Sequence, residues 1–398
     1  MTARADAAPV RLVDDAERRR RIAVRQLLAP AHRAATVRGV VDAVVALHAT
    51  DPATVHLSAA ARLAEPSVAA VESALHEDGG LVRMHGMRHT LFVVADGLVP
   101  ALQASTTGPA AVKERRGLTA FAAEGGLDEA WLAAAERDVL KALEEHGPSG
   151  GAVLGTRVPA LRQTLTVSAG KPYEARQAIG SRLLRVMGME GSIVRGRPLG
   201  TWISGTYTWA HAAPRPELGT AEARAELVAA YLTAFGPVTE ADVKWWTGWT
   251  LTAARAALAA NGAERVALEG GASGWVLPGD TGTTPDPGPW AALLPGLDPT
   301  PMGRRDRDHY LPPEYVAALF DRNGNIGPTV WWNGRVVGGW AQRADGEVVF
   351  RLLEEIGARG EAAVAGEAAR TAALLDGARV TPRYRTPLER ELADAAPA

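Results

Sequence analysis

The chain has 398 residues, 47% of them hydrophobic and 22% charged, which is enough to bury a large core and long enough for two or three domains. The absence of cysteine excludes disulfides, thiolate nucleophiles and zinc–thiolate sites together. A net charge of −2 excludes a polycation, so any nucleic-acid surface must be a local concentration of arginine and lysine.

In chain order, Met1 to Arg11 lack the apolar core of a signal segment and read as a disordered tip. No stretch approaches the roughly 18 apolar residues of a membrane span, so a cytoplasmic protein is expected. Asp14 and Asp15 can cap a charged helix with Ile22, Val24, Leu27 and Leu28 on its apolar side, stopped by Pro30. Val40, Val41, Val44, Val45 and Leu47 then recur at helical spacing. Leu47 to Pro52 follows, with Asp51 suited to an N-cap and Pro52 to the first helical position. The stretch is expected to be a tight helix-to-helix corner that holds His48, Thr50 and Asp51 in fixed directions. Two helices, Pro52 to about Leu63 and Ser67 to His76, precede a break at Gly79-Gly80 and a β-rich hairpin from Leu81 to Val94. Helices followed by a two-stranded wing make the winged helix-turn-helix plan, on which the wing carries Arg83, His85, Arg88 and His89 toward phosphate.

Residues 95–165 read as helical, with Trp131, Leu132, Val139, Leu140 and Leu143 on one side and a stop at Gly147-Pro148. The same plan is expected again next, as a helix from Ala175 to Met187 bearing Arg176, Arg182 and Arg185, then paired strands at 193–197 and 201–209. A third pass starts at Ala221. It has an amphipathic stripe to Phe235, a helix capped by Thr239, another from about Thr252 to Asn261, and strand-like runs at 266–268 and 275–277. Pro278 to Pro301 is rich in Pro, Gly, Asp and Thr and reads as a linker. Beyond it, runs at 329–332, 335–340 and 347–352 are joined by Asn333-Gly334 and Asp345-Gly346, dipeptides that tolerate positive φ in tight hairpins. They predict a small β-barrel or curled sheet, followed by a helix near 360–375 and a strand-like tail at 379–384. The expected domains are 12–95, 96–215, 216–280 and 281–398.

Several phrases in this order resemble a known family. They are Leu47 to Pro52, Arg83 to Leu91 (RMHGMRHTL), Trp202 to His211 (WISGTYTWAH), Phe235 to Trp246 (FGPVTEADVKWW), Leu294 to Arg307 (LPGLDPTPMGRRDR) and Gly334 to Trp340 (GRVVGGW). Together they resemble the tandem winged-helix DNA glycosylases of the AlkZ and YcaQ type, over residues 15–390. The resemblance implies an α+β fold of three winged helices and a C-terminal β-barrel in a C-shaped clamp. It also implies metal-free removal of bulky N-alkylated purines, including unhooking of interstrand crosslinks. Where family members that excise alkylated bases carry glutamine, an apolar residue, then glutamine or aspartate, this chain has His48, Ala49 and Thr50.

Chemistry leaves three readings of that corner. In the first, His48, with an ordinary pKa of about 6.5, is mostly neutral at pH 7 and accepts a proton from the attacking water, while Thr50 holds the water's other side. Such general-base help is typically worth roughly 10² to 10⁴-fold. In the second, Asp51 is the working carboxylate, against the plainer alternative that it only caps the next helix. In the third, the corner has lost its chemistry and the protein only binds DNA, as a damage sensor or regulator.

Arg182, Arg185, Arg195 and Arg197 form the most positive stretch, and Arg304, Arg305 and Arg307 another, interleaved with Asp306 and Asp308. Arg83, Arg88, Arg182, Arg195, Arg197, Arg304 and Arg305 are the expected DNA contacts, each phosphate contact adding close to −0.9 to the log–log salt slope. The solvated-face alternative stands beside both clusters. Trp202, Trp245, Trp246, Trp331 and Trp332 are expected mainly in the core. The nine histidines are scattered without carboxylates at ligand spacing, so no metal or other cofactor is expected. The sequence therefore predicts a monomeric, metal-free monofunctional DNA glycosylase acting on duplex DNA with alkylated or crosslinked purines, located with the nucleoid, with genotoxin self-resistance as one use.

Overall fold

The computed structural model describes residues 11–167, 170 and 174–395. The expected disordered tip, Arg11 apart, lies outside the described residues. The chain divides into two compact units, the first of residues 1–47, 56–67 and 225–398 and the second of residues 48–55 and 68–224.

Local signals set most element starts. Asp14 caps α1 (Asp15–Arg25) by accepting the Glu17 N–H at 2.7 Å, and Thr36 caps α2 (Val37–Val44) through the Gly39 N–H. α2 ends where Val45 turns left-handed, at φ 68°. The chain does not pass directly into another helix, as the corner reading expected. Ala46–His48 forms a short strand, β1, and the Ala49 N–H donates to the Leu91 carbonyl at 2.8 Å. α3 (Pro52–Ala60) and α4 (Val68–His76) follow, then the expected hairpin of β2 (Leu81–His85) and β3 (Leu91–Ala95), paired from Leu81↔Ala95 to His85↔Leu91.

The second unit continues with α5 (Gly108–Glu124), α6 (Glu129–His146) and β4 (Ser149–Gly150). The helix expected from Ala175 begins only at Gly180, because residues 175–178 pair with 164–167 as a two-stranded ribbon. It is α7 (Gly180–Glu190), followed by the antiparallel pair β5 (Ile193–Pro198) and β6 (Tyr207–His211). The six strands run β1-β3-β2-β5-β6-β4. Leu118, Phe121, Leu132, Val139, Leu143, Leu183, Met187 and Trp209 make the core that joins α5, α6 and α7 to this sheet.

In the first unit, α8 (Thr220–Phe235), which starts five residues before the unit does, leads to α9 (Glu240–Thr247) and α10 (Leu251–Ala260). Thr239 and Asp242 form a reciprocal capping box at α9. The hairpin of β7 (Glu264–Leu268) and β8 (Ser273–Val276) comes next. Within the expected linker lies β9 (Ala291–Leu294), an Ala-Ala-Leu-Leu run buried at all four positions and too short for periodicity to reveal.

β9 pairs with β10 (Thr329–Trp332), which pairs with β11 (Arg335–Gln342), which pairs with β12 (Val348–Leu352). This is an open four-stranded sheet and not the expected barrel, since β9 and β12 are not joined to each other. α11 (Gly357–Leu375) and α12 (Pro387–Asp394) pack on the sheet. The tail at 379–384 forms no strand. The Gln342 side chain binds the Val380 N–H and the Ala378 carbonyl instead, taking the backbone groups a ladder would use. Ile22, Leu28, Trp290, Leu294, Tyr310, Trp331 and Leu388 share one core. Among the described residues no helix is long and apolar enough to cross a membrane.

Candidate active site

The corner at His48 sits at the end of β1, where the second unit begins. His48 is only 5% exposed, and its ring meets the Phe92 ring edge-on at 5.0 Å between centroids. Burial first, and then the charge of Arg88, push its pKa down to about 3. The Thr50 N–H points at Nδ1 from 3.5 Å, the outer limit of a hydrogen bond, and so leaves either ring nitrogen able to carry the proton. The imidazole is therefore neutral throughout the physiological range. Its conjugate acid is strongly disfavoured, so it serves better as a lone pair that orients a water than as an acceptor that keeps a proton.

Asp51 is 8% exposed, and its Oδ1 accepts the Ala53 N–H at 3.1 Å, as an N-cap of α3 does. His48, Thr50 and Asp51 thus stand together at one strand-to-helix junction. Arg88 and His89, at the tip of the hairpin, both take left-handed backbone, with φ 51° and 61°. Such φ values are rare outside glycine and hold the tip in a fixed, strained shape.

The expected DNA contacts divide by environment. Arg83 lies inside, 8% exposed, directly opposite Arg195 across β2 and β5. His85, expected on the wing's outer side, is also buried, and burial with Arg195 and Arg185 nearby brings its pKa to about 3. Arg182 is half-buried, with its guanidinium 4.1 Å over Phe121 and a hydrogen bond to Gln177, and exposed Arg197 pairs with Glu77 at 2.7 Å. In the first unit, Arg305 is exposed, whereas Arg304 is 2% exposed and donates to the Phe235 and Pro237 carbonyls. Arg304 is corrected from a surface contact to an interior residue, because those two carbonyls at the end of α8 hold its Nη1 and Nη2 inside. Trp246 and Trp331 are buried as expected, while Trp202, Trp245 and Trp332 are half-buried.

Sequence reasoning missed two features of the first unit. Arg62 and Asp298, both fully buried, form a bidentate pair at 2.7 and 2.8 Å. His309 is 2% exposed with neither ring nitrogen hydrogen-bonded, and burial with Arg18, Arg304 and Arg19 around it holds its pKa well below the usual value. The Asp-Pro-Thr-Pro run at 298–301 was the available signal for the first, since an aspartate there reads as a cap that a distant cation can share. Nothing local marks the second. Among the described residues no three His, Asp or Glu side chains gather in a way that could hold a metal ion.

The second unit thus has a polar strand-to-helix junction and, on its sheet, the facing pair Arg83 and Arg195. The sequence profile of the family described as DNA glycosylase AlkZ-like matches residues 41–374, and the chain belongs to that family. Among solved structures it is similar to Streptomyces sahachiroi DNA glycosylase AlkZ, at 22% identity, with a TM-score of 0.66 over 93% of this chain and 99% of that one. That likeness shows the fold. No curated protein matches the chain.

Proposed function

We propose that the protein hydrolyses the N-glycosidic bond of bulky or crosslinking N-alkylated purines in duplex DNA, without a metal and without a lyase step. The observation that carries this reading is the His48-Ala49-Thr50-Asp51 junction, whose side chains gather at the start of α3 and which we align with the family's catalytic corner on sequence resemblance. An N7- or N3-alkylated purine is already cationic and leaves readily, so the protein needs only to place a water at C1′ and stabilise an oxocarbenium-like sugar. His48 as a neutral lone pair orients that water, Thr50 holds its other side, and Asp51 caps α3 while its carboxylate faces the developing cation. Because the His48 imidazolium is so disfavoured, its contribution belongs near the lower end of the roughly 10² to 10⁴-fold range.

Helix-then-hairpin succession recurs at α4 with β2 and β3, at α7 with β5 and β6, and at α9 and α10 with β7 and β8. It supports tandem winged helices within divisions at 12–95, 96–215 and 216–280, with 281–398 as the closing sheet and helices. Arg88, Arg182, Arg195, Arg197 and Arg305 are the proposed phosphate contacts, and each one removed shallows the salt slope by close to one unit.

Incubation with duplex DNA carrying N7-methylguanine or a nitrogen-mustard crosslink tests the reading, with free base and abasic sites scored in the presence of EDTA. Release of base is the expected result. Tight binding of every such duplex with no base released favours a second reading, a non-catalytic damage sensor or regulator. The observation that favours that alternative is the replacement of the family's carboxamide and carboxylate groups by His48 and Thr50.

A further inference from the structure

The second unit contains a cavity of about 920 Å³ on its sheet, of a size that takes small organic ligands. His48 is not among its lining residues; Arg83, Arg195 and Arg197 are. Arg83 and Arg195 face each other directly across β2 and β5, and like charges so placed repel. The Arg195 guanidinium lies 4.2 Å over the Tyr207 ring and 5.3 Å over that of Trp209, which fixes its plane. Arg83 is 8% exposed, its Nη2 has no hydrogen-bond partner, and the acidic groups that act on it are Glu72 and Tyr207. A buried guanidinium with an unused donor is costly unless an anion meets it. The carboxylates on the cavity wall do not fill that role, since Glu190 is held by Arg115 and Glu217 lies exposed in solvent. The lining also has an apolar wall, with Leu75, Val99 and Pro100.

We propose that this cavity seats one nucleotide, its phosphate on Arg83 and Arg197 and its base against the apolar wall. A guanidinium matches a phosphate with two parallel donors, and Arg197, whose present partner Glu77 is exposed, exchanges that carboxylate for the incoming anion. Two sources carry this chemistry, a free nucleoside monophosphate and an extrahelical nucleotide of duplex DNA. The second source rests on the DNA reading above, and the first does not.

Guanosine monophosphate, guanosine and an unmodified duplex are the probes, each titrated into the full chain by calorimetry, with base excision scored separately. Guanosine monophosphate binding that guanosine does not match, weakened about tenfold or more by Arg83→Met, supports the free-nucleotide source. No monophosphate binding, with duplex affinity lowered about tenfold by the same substitution, supports the DNA source. If Arg83→Met does not fold, Arg197→Ala, on the exposed rim, carries the monophosphate arm of the test with an expected loss of several-fold, since its effect on duplex affinity already follows from the DNA reading. Affinities for the monophosphate and the duplex that are both unchanged in the variants overturn the proposal. A chain that excises no base yet binds the monophosphate through Arg83 leaves this inference standing and removes only the glycosylase reading.

Discussion

His48 and His309 are the same side chain in similarly dry surroundings, and they differ in what surrounds the ring. His48, in the second unit, has an amide pointing at one nitrogen and an aromatic edge against its face. His309, in the first, has two ring nitrogens with no hydrogen-bond partner, a perpendicular Tyr310 ring at 4.6 Å and three arginines in its field. Both are kept neutral by burial. The difference teaches that a depressed pKa alone does not mark a working histidine, and that the geometry around the lone pairs decides what the neutral ring can do.

The largest expected effect tests His48. His48→Ala should slow base release by about 10²-fold or more with duplex affinity nearly intact, since a group acting in the transition state contributes little to ground-state binding. With its pKa at about 3, the rate in the unsubstituted protein should also stay level as pH falls from 7 to 5. A rate that drops through pH 6.5 would show the ring protonating as freely as in water, and the comparison would fail.

Next in size is Arg304→Ala. It strands the Phe235 and Pro237 carbonyls and should cost about 3 kcal/mol in denaturant unfolding, with the salt dependence of DNA binding unchanged. A shallower salt slope with stability retained would return Arg304 to the DNA surface.

His309→Leu should be neutral or raise stability by about 1 kcal/mol, because it removes two polar atoms that make no bonds. A folded-state pKa below the unfolded one means that the unfolded chain takes up a proton that the folded chain refuses. Stability therefore falls as pH drops below about 6.5 toward the folded values of His48, His85 and His309. The decline between pH 7 and 5 should be smaller in His309→Leu, and an equal decline would place the effect elsewhere. The smallest effect is that of Asp51→Asn, which keeps a capping oxygen at α3 and should change excision less than threefold if the cap is the main role. Abolished excision would make Asp51, and not His48, the group that activates water.

Legibility followed the range of the signal. Caps such as Asp14 and Thr239, and the turn at Asn333-Gly334, act within four residues and were readable, as was the hairpin from Leu81 to Val94. β9 was not, because Ala291–Leu294 is four apolar residues inside a proline-rich stretch and is fixed by pairing with Thr329–Trp332. The site divided in the same way. The junction at His48 and its neighbours could be found from local chemistry, yet its depressed pKa depends on burial, to which Phe92 on β3 contributes, and on Arg88 at the hairpin tip. Arg304 misled because charge alone suggests solvent, and only α8, some 70 residues earlier, explains its burial.

The first unit is built from three chain segments, 1–47, 56–67 and 225–398, that alternate with those of the second, and that order of connection sets a schedule for synthesis. Arg21 of α1 is made early, but its partner Asp280 lies 259 residues further on. At roughly 5–20 residues per second a ribosome reaches that partner some tens of seconds later. During that delay the charged residues of α1 keep it compatible with water, while residues 68–224 emerge. A circular permutant that began at Ala225 and joined the old ends would bring the three segments of the first unit closer in sequence, and would shift the slowest step of refolding rather than the final structure.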